Sequence, residues 1–222
     1  FKPTFMKTVG VDNVAVKAVS EVTRGIGANI ELALVLDISG SMNNLNKIND
    51  LKEAANFAKE FGHNVTYIDL KDFQMPLYDG DLEAESGTPE NAKKLKKIFS
   101  EHQGFLIASP EYNSSLSPLL KNSLDWITRK EQPVGGDLSA FTGKVAALVS
   151  ASPGGLGGLR GLVPLRMMLG NIGVVVIPNQ QAISFADKAF DKDNKLIDPK
   201  QKEALRGIVK QLIDVTEKLN KK

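Results

Sequence analysis

Three short segments of this chain gather hydroxyls, amides, a carboxylate and glycines densely enough to hold a charged, flat ligand. The first is Asp37-Ile-Ser-Gly-Ser-Met-Asn-Asn-Leu-Asn46. Its Ser39, Gly40, Ser41, Asn43 and Asn46 stand just before a helical pattern. Free backbone N–H groups and the helix dipole converge at such a place, which suits a phosphate or other anion. A capped helix start with no ligand would look the same. The second segment is Ser109-Pro-Glu-Tyr-Asn113, where Pro110 stiffens a turn and Glu111, Tyr112 and Asn113 offer a carboxylate, a phenol and an amide. The third runs from Ser150 to Gly158. Its Ser152, Pro153, Gly154 and Gly155 let backbone approach a flat ligand closely, because glycine carries no side chain. It is not a dinucleotide fingerprint, since Arg160 replaces the final glycine of Gly155-Leu-Gly-Gly-Leu-Arg160, and the chain has no Walker lysine motif. A plain turn-rich surface loop is the alternative for the last two segments.

Composition removes several chemistries. With no cysteine among 222 residues, disulfides, thiol catalysis and zinc-thiolate sites are excluded. Electrons handled by this chain must therefore sit on a bound cofactor. The two histidines, His63 and His102, precede strand patterns, which puts them at the end of a sheet opposite the three segments. A Ser-His-acid triad or a histidine-ligated metal is not expected there. A net charge of +2, with acidic and basic residues interleaved, gives no basic face for nucleic acid. No apolar run approaches membrane-spanning length. The chain starts at Phe1 without a signal-peptide pattern, so a fragment or processed chain in the cytoplasm is the default expectation.

The elements that must carry these segments alternate from about residue 30 onward. Leu32–Leu36, Asn64–Leu70, Phe105–Ala108, Val145–Val149 and Val174–Ile177 read as strands, several of them continuous apolar runs. Between them, Lys47–Phe61, a helix opened by Pro89, a helix capped by Ser117-Pro118, Leu159–Leu169 and Pro199–Leu219 read as helices. The stretch holding Met75-Pro-Leu-Tyr78 reads as a long polar loop. Trp126 falls at core spacing and is expected in packing or at a subunit contact. Five strands alternating with helices imply an α/β, doubly wound parallel sheet. In such sheets ligands bind outside the carboxyl ends of the strands, which is where all three segments lie.

From roughly Ala55 to its end the chain resembles the NAD(P)H-dependent FMN reductases, with their quinone, azo and chromate reductase relatives. The resemblance rests on Tyr67-Ile-Asp-Leu with Met75-Pro-Leu-Tyr-Asp-Gly-Asp-Leu82, then Leu106-Ile-Ala-Ser-Pro-Glu-Tyr-Asn113. It continues in Leu119-Leu-Lys-Asn122 with Asp125-Trp126, and in Ala147-Leu-Val-Ser-Ala-Ser-Pro-Gly-Gly-Leu-Gly-Gly-Leu-Arg160. It implies a flavodoxin-like three-layer fold with strand order 2-1-3-4-5. It also implies FMN as cofactor and NADPH or NADH as co-substrate, with a flavin, quinone, azo compound or metal oxyanion as acceptor. Pro110, Glu111, Tyr112 and Asn113 would lie beside the flavin ring, and Ser152, Pro153, Gly154 and Gly155 at its other edge. Ser39, Gly40, Ser41, Asn43 and Asn46 would serve its phosphate. Members usually form homodimers or homotetramers, and the Asp125-Trp126 helix would be a contact.

The first quarter resembles something else. Asn29-Ile-Glu-Leu-Ala-Leu-Val-Leu-Asp-Ile-Ser-Gly-Ser-Met42, with Lys47–Ala55, is similar to the start of a von Willebrand factor A domain of Tad-pilus type. Asp37, Ser39 and Ser41 match its metal-dependent adhesion motif, so a Mg-dependent binding module is the alternative function. The expected organisation is an extension over residues 1–29 and a reductase domain over 30–222. The first β-α unit of that domain, 30–60, would be von Willebrand-like, with the seam near 50–60. In the reductases an arginine is common where Asn43 stands and a serine near Asn46. Asp37 adds a negative charge near the phosphate position, which weakens binding.

Overall fold

Alternate residues of a strand face opposite sides of its sheet, and here both sides are apolar. Leu32, Leu34, Leu106, Ala108, Val145, Ala147 and Val149 pack on one side. Ala33, Val35, Phe105, Ile107, Ala146 and Leu148 pack on the other. The computed structural model describes residues 30–37, 53–131, 133, 135–193 and 195–221. Its strands are β1 (Glu31–Leu36), β2 (Asn64–Asp69), β3 (Gly104–Ala108), β4 (Val145–Ala151) and β5 (Val175–Ile183). They form one sheet in the order β2-β1-β3-β4-β5, with every neighbouring pair parallel. The order and direction match the expectation from sequence.

Helices cover both faces. Residues 53–60 are helical (α1), followed by α2 (Gly80–Ser86), α3 (Glu90–Glu101), α4 (Pro118–Ile127), α5 (Leu159–Asn171) and α6 (Pro199–Asn220). Ala54, Ala55 and Ala58 of α1 join Leu205, Ile208 and Leu212 of α6 against the first face. Leu95 and Phe99 of α3, Leu120 and Leu124 of α4, and Leu162, Leu165 and Leu169 of α5 cover the second. Residues 1–29 and most of the first polar segment lie outside the described residues.

Two elements differ from the sequence reading. The stretch read as a loop before Pro89 contains α2, capped by Asp79, whose carboxylate accepts from the amides of Asp81 and Leu82. Pro89 itself is the cap residue of α3 and does not lie in its first turn. The fifth strand, read as ending at Ile177, continues to Ile183 through a bulge. β5 advances from Val176 to Gln180 while β4 advances only from Ala146 to Leu148. Pro178 has no N–H for the ladder, and a bulge is where a strand tolerates that. Arg166 of α5 satisfies what the bulge leaves over: its Nη1 donates to the Ile177 carbonyl at 2.7 Å and its Nη2 to Gln180 Oε1 at 2.8 Å.

Candidate functional site

At the carboxyl end of the sheet, each loop is fixed to its neighbour by a polar side chain. Ser109-Pro110 leads from β3 into a two-residue hairpin closed by reciprocal backbone bonds of 2.9 and 3.0 Å between Tyr112 and Ser115. Its central residues Asn113 (φ 50°) and Ser114 (φ 64°) both occupy left-handed backbone, the arrangement of a type I′ turn. Asparagine tolerates this conformation well, whereas serine carries some strain. Strain of this kind concentrates where a loop is held for a ligand.

Glu111 does not project freely from this turn. Its Oε1 accepts from Arg160 Nε at 2.7 Å and its Oε2 from the Arg160 amide at 3.1 Å, with Arg160 Nη2 at 2.6 Å from Oε1. A carboxylate on the first-turn amides of α5 is stabilised by the helix dipole as well as by the guanidinium. The residue that breaks the dinucleotide pattern is thus the clamp between the second and third segments. Glu111 is a positioning group for both loops.

The glycine loop is built on close backbone approach. At Gly157 (φ +61°) a Cβ would stand 2.6 Å from the Ile183 carbonyl carbon, and at Gly158 (φ +88°) 2.9 Å from Ser150 Cβ. Ser150 Oγ donates to the Gly157 carbonyl at 2.8 Å and Ser184 Oγ to the Gly155 carbonyl at 2.7 Å. Ahead of this anchored part, Ser152 is half-buried, while Pro153, Gly154 and Gly155 are exposed. A Cβ at Gly154 would meet only Ser152 Oγ at 3.7 Å. The segment is therefore open to a ligand on one side and locked to β5 on the other.

A third wall comes from the loop after β2. Asn122 of α4 accepts from the Tyr78 amide at 2.7 Å and donates to the Pro76 carbonyl at 2.9 Å. Trp126 Nε1 donates to the same carbonyl at 2.8 Å. Tyr78 meets Trp126 edge-on at 5.0 Å between centroids, and its hydroxyl donates to Glu83 Oε2 at 3.0 Å. Glu83 is 1 % exposed and accepts from Arg129 Nε through both oxygens, at 2.8 and 2.9 Å. The bond from Arg129 holds the Glu83 carboxyl below the ordinary carboxylate range. Burial and this carboxylate push the Tyr78 phenol up. Trp126, 0 % exposed, belongs to packing.

Of the first segment only Asp37 is described. It directly follows β1 and is fully buried, its amide donates to the Ala108 carbonyl at 3.2 Å, and Ser117 Oγ donates to its Oδ2. Ser117 also caps α4, accepting from the Leu120 amide at 3.0 Å. Ser39, Gly40, Ser41, Asn43 and Asn46 lie outside the described residues. The second and third segments are brought together: Glu111 Cβ stands 3.7 Å from the Cβ position of Gly158. Both histidines lie at the far end, where His102 bonds the Ile98 carbonyl and Thr66 Oγ1. Sequence reading missed Ser184 and Phe185, because the strand leading to them was ended too early. The pairing of Asn122 with the Pro76-Tyr78 loop was visible only as two co-occurring motifs.

A five-stranded parallel sheet of this order, with its polar loops on the carboxyl edge, defines a flavodoxin-like protein. Comparison with known proteins narrows that class. The model of a family described as NADPH-dependent FMN reductase matches residues 33–188, and the chain belongs to this family. An NAD(P)H:quinone oxidoreductase of Solanum tuberosum is 30% identical over 197 residues, covering 85% of this chain and 96% of that one. An NAD(P)H-dependent FMN reductase of Pseudomonas aeruginosa is 35% identical over 142 residues, covering 63% and 72%. Among solved structures, the flavoenzyme NAD(P)H:(acceptor) oxidoreductase FerB of Paracoccus denitrificans superposes with a TM-score of 0.70 at 27% identity, covering 85% of this chain and 98% of that one. The family match starts at residue 33, inside β1. It thus takes in the strand that resembled a von Willebrand unit.

The residues present suit FMN. Among the described residues, the backbone amides of Glu111, Asn113 and Gly155 donate to no protein acceptor. The exposed Gly154-Gly155 segment leaves one flat side open. Donors and an open face are what the polar edge of a flavin needs. The chain is accordingly an NAD(P)H-dependent FMN oxidoreductase.

Proposed function

We propose that FMN lies across the carboxyl ends of β1, β3 and β4 and that this enzyme reduces a quinone. Pro110, Glu111, Tyr112 and Asn113 would line one side of the ring system, and Ser152, Pro153, Gly154 and Gly155 the other edge. Ser39, Gly40, Ser41, Asn43 and Asn46 would meet the phosphate. The observation that carries this reading is the clamp from Glu111 to Arg160, which holds two donor-bearing loops at one fixed separation. Bound FMN supplies the redox chemistry, taking hydride from the nicotinamide and passing electrons to the acceptor. The protein's share is positional. Its backbone amides stabilise negative charge at the polar edge, and Glu111 keeps those amides aimed. No acid or base is required of the chain for hydride delivery.

Relatives named as quinone oxidoreductases support a quinone as acceptor, ahead of a flavin, azo compound or metal oxyanion. In the homodimer or homotetramer usual for the family, α5 offers the better contact. Leu159, Val163 and Met167 are exposed along it, whereas Trp126 is inaccessible. No helix among the described residues is long and apolar enough to cross a membrane, which is consistent with a cytoplasmic enzyme.

Titration with FMN, followed by quenching of flavin fluorescence, tests the reading. Saturable one-to-one binding is expected, and its absence would remove the proposal. The buried Asp37 carboxylate, at the head of the phosphate segment, opposes the phosphate charge. Asp37→Asn keeps an acceptor for Ser117 and should tighten FMN binding by roughly 3- to 10-fold. An unchanged affinity would mean that the phosphate sits elsewhere.

A further inference from the structure

One aromatic side chain at this end of the sheet lies outside both apolar cores. Phe185, two residues past β5, has φ +50°, a conformation in which a bulky side chain is a genuine outlier. It is also 58 % exposed, while Phe99, Phe105 and Phe141 are at most 1 % exposed. The chain thus keeps a strained backbone in order to hold an aromatic ring in water. Strain at a ligand-facing loop is the usual reason for such a residue to persist.

Its surroundings say what the ring is held against. The Phe185 amide donates to the Gly154 carbonyl at 3.4 Å, and the Ala186 amide to the Ser152 carbonyl at 3.0 Å. Ser184 Oγ donates to the Gly155 carbonyl at 2.7 Å. Residues 184–186 are thereby tied at three points to residues 152–155, the loop proposed for the flavin edge. The ring tip, Cζ, lies 3.6 Å from where a Cβ of Gly155 would stand, so the tip reaches the glycine backbone while more than half of the residue is exposed.

We infer that Phe185 is a stacking platform for the flat, unsaturated ring of the co-substrate that exchanges electrons at the glycine-loop edge, whether quinone or nicotinamide. The inference rests on the FMN site proposed above. A planar ring gains both area burial and favourable ring-ring geometry against an exposed phenyl group. A compact octahedral acceptor such as ferricyanide has no face to stack.

The FMN-loaded enzyme decides it, with Phe185→Gly and Phe185→Trp. Glycine relieves the left-handed backbone, so the thermal midpoint of Phe185→Gly should equal or exceed that of the unaltered enzyme. Its kcat/KM for 1,4-naphthoquinone, taken relative to that for ferricyanide, should fall roughly tenfold. Phe185→Trp should restore the ratio to within about twofold. If nicotinamide is the stacked ring, the loss appears instead in the rate of anaerobic flavin reduction by NADPH, again restored by tryptophan. Unchanged values in both arms would overturn the inference, as would equal losses for both acceptors accompanied by a smaller mass in sedimentation, which would make the ring a subunit contact. Failure of the unaltered protein to take up FMN would instead defeat the site proposal itself.

Discussion

Replacing Gly157 by alanine should unfold the glycine loop and lower the thermal midpoint by roughly 4–20 °C. The added Cβ would lie 2.6 Å from the Ile183 carbonyl carbon and 2.8 Å from two further backbone atoms, at a φ of +61°. Left-handed backbone costs an alanine about 1–2 kcal/mol. Overlap with backbone, which cannot rotate away, adds about 1–3 kcal/mol. For a chain of this size each kcal/mol lowers the midpoint by roughly 2–4 °C. Displacement of the loop also breaks the 2.8 Å bond from Ser150 to the Gly157 carbonyl, so FMN affinity should fall together with stability. Gly154→Ala is the internal control. Its Cβ meets only Ser152 Oγ at 3.7 Å, and its midpoint should stay within about 2 °C of the unaltered protein. Equal midpoints for the two variants in a calorimetric scan would show that β5 does not constrain the loop.

Glu83→Gln should remove about 3 kcal/mol at neutral pH, measured by urea unfolding. The carboxylate is buried and shares the Arg129 Nε–H between its two oxygens, and the Arg129 side chain is itself only 24% exposed. Loss of the negative charge leaves that guanidinium poorly compensated. Removal of one partner from a buried pair costs far more than the pair contributes relative to an apolar substitute. By contrast Glu90→Gln, which breaks a pair with Lys93 at a carboxylate 76% exposed, should change little. The pH dependence has a definite sign. Arg129 lowers the Glu83 carboxyl in the folded state, so its stabilisation is complete above the unfolded value of about 4.3 and is lost as pH falls through the lower folded value. The gap between Glu83→Gln and the unaltered protein should therefore close below about pH 4. Asp137, held at about 2 chiefly by Lys96, steepens the same acid limb in both proteins. A gap that persists undiminished at low pH would show that the destabilisation comes from altered packing.

Continuous apolar runs made β1, β3 and β4 legible in the sequence, because a strand buried on both faces needs little else. Their alternation with helices was enough for a parallel sheet, whereas the strand order followed from the resemblance to the FMN reductases. α2 was not legible, since Gly80-Asp-Leu-Glu-Ala-Glu-Ser86 buries a glutamate and not an apolar stripe. Helical periodicity is read from apolar residues, so a helix whose inward group is a charge leaves no trace. The end of β5 was hidden for a different reason. Proline normally stops a strand, and here Arg166, 12 residues before Pro178 in sequence, supplies the compensation. Within the site, the loops were legible from residue types at strand ends. The Glu111 to Arg160 clamp spans 49 residues, a pairing that neither local pattern nor composition carries. In the sequence alone Arg160 is only a departure from a nucleotide motif. Asp37 could be read as a charge near the phosphate, but its bond to Ser117 depends on β1 and β3 lying side by side.

On this reading the sheet edge holds FMN where a nicotinamide can reduce it. Anaerobic addition of NADPH to the FMN-loaded protein, followed by absorbance in the visible flavin band, tests it most directly. Bleaching at one equivalent of NADPH per flavin, with colour returning on addition of a quinone, is the predicted result. A bound flavin that stays oxidised with both NADPH and NADH would mean that the site does not bring nicotinamide to the flavin.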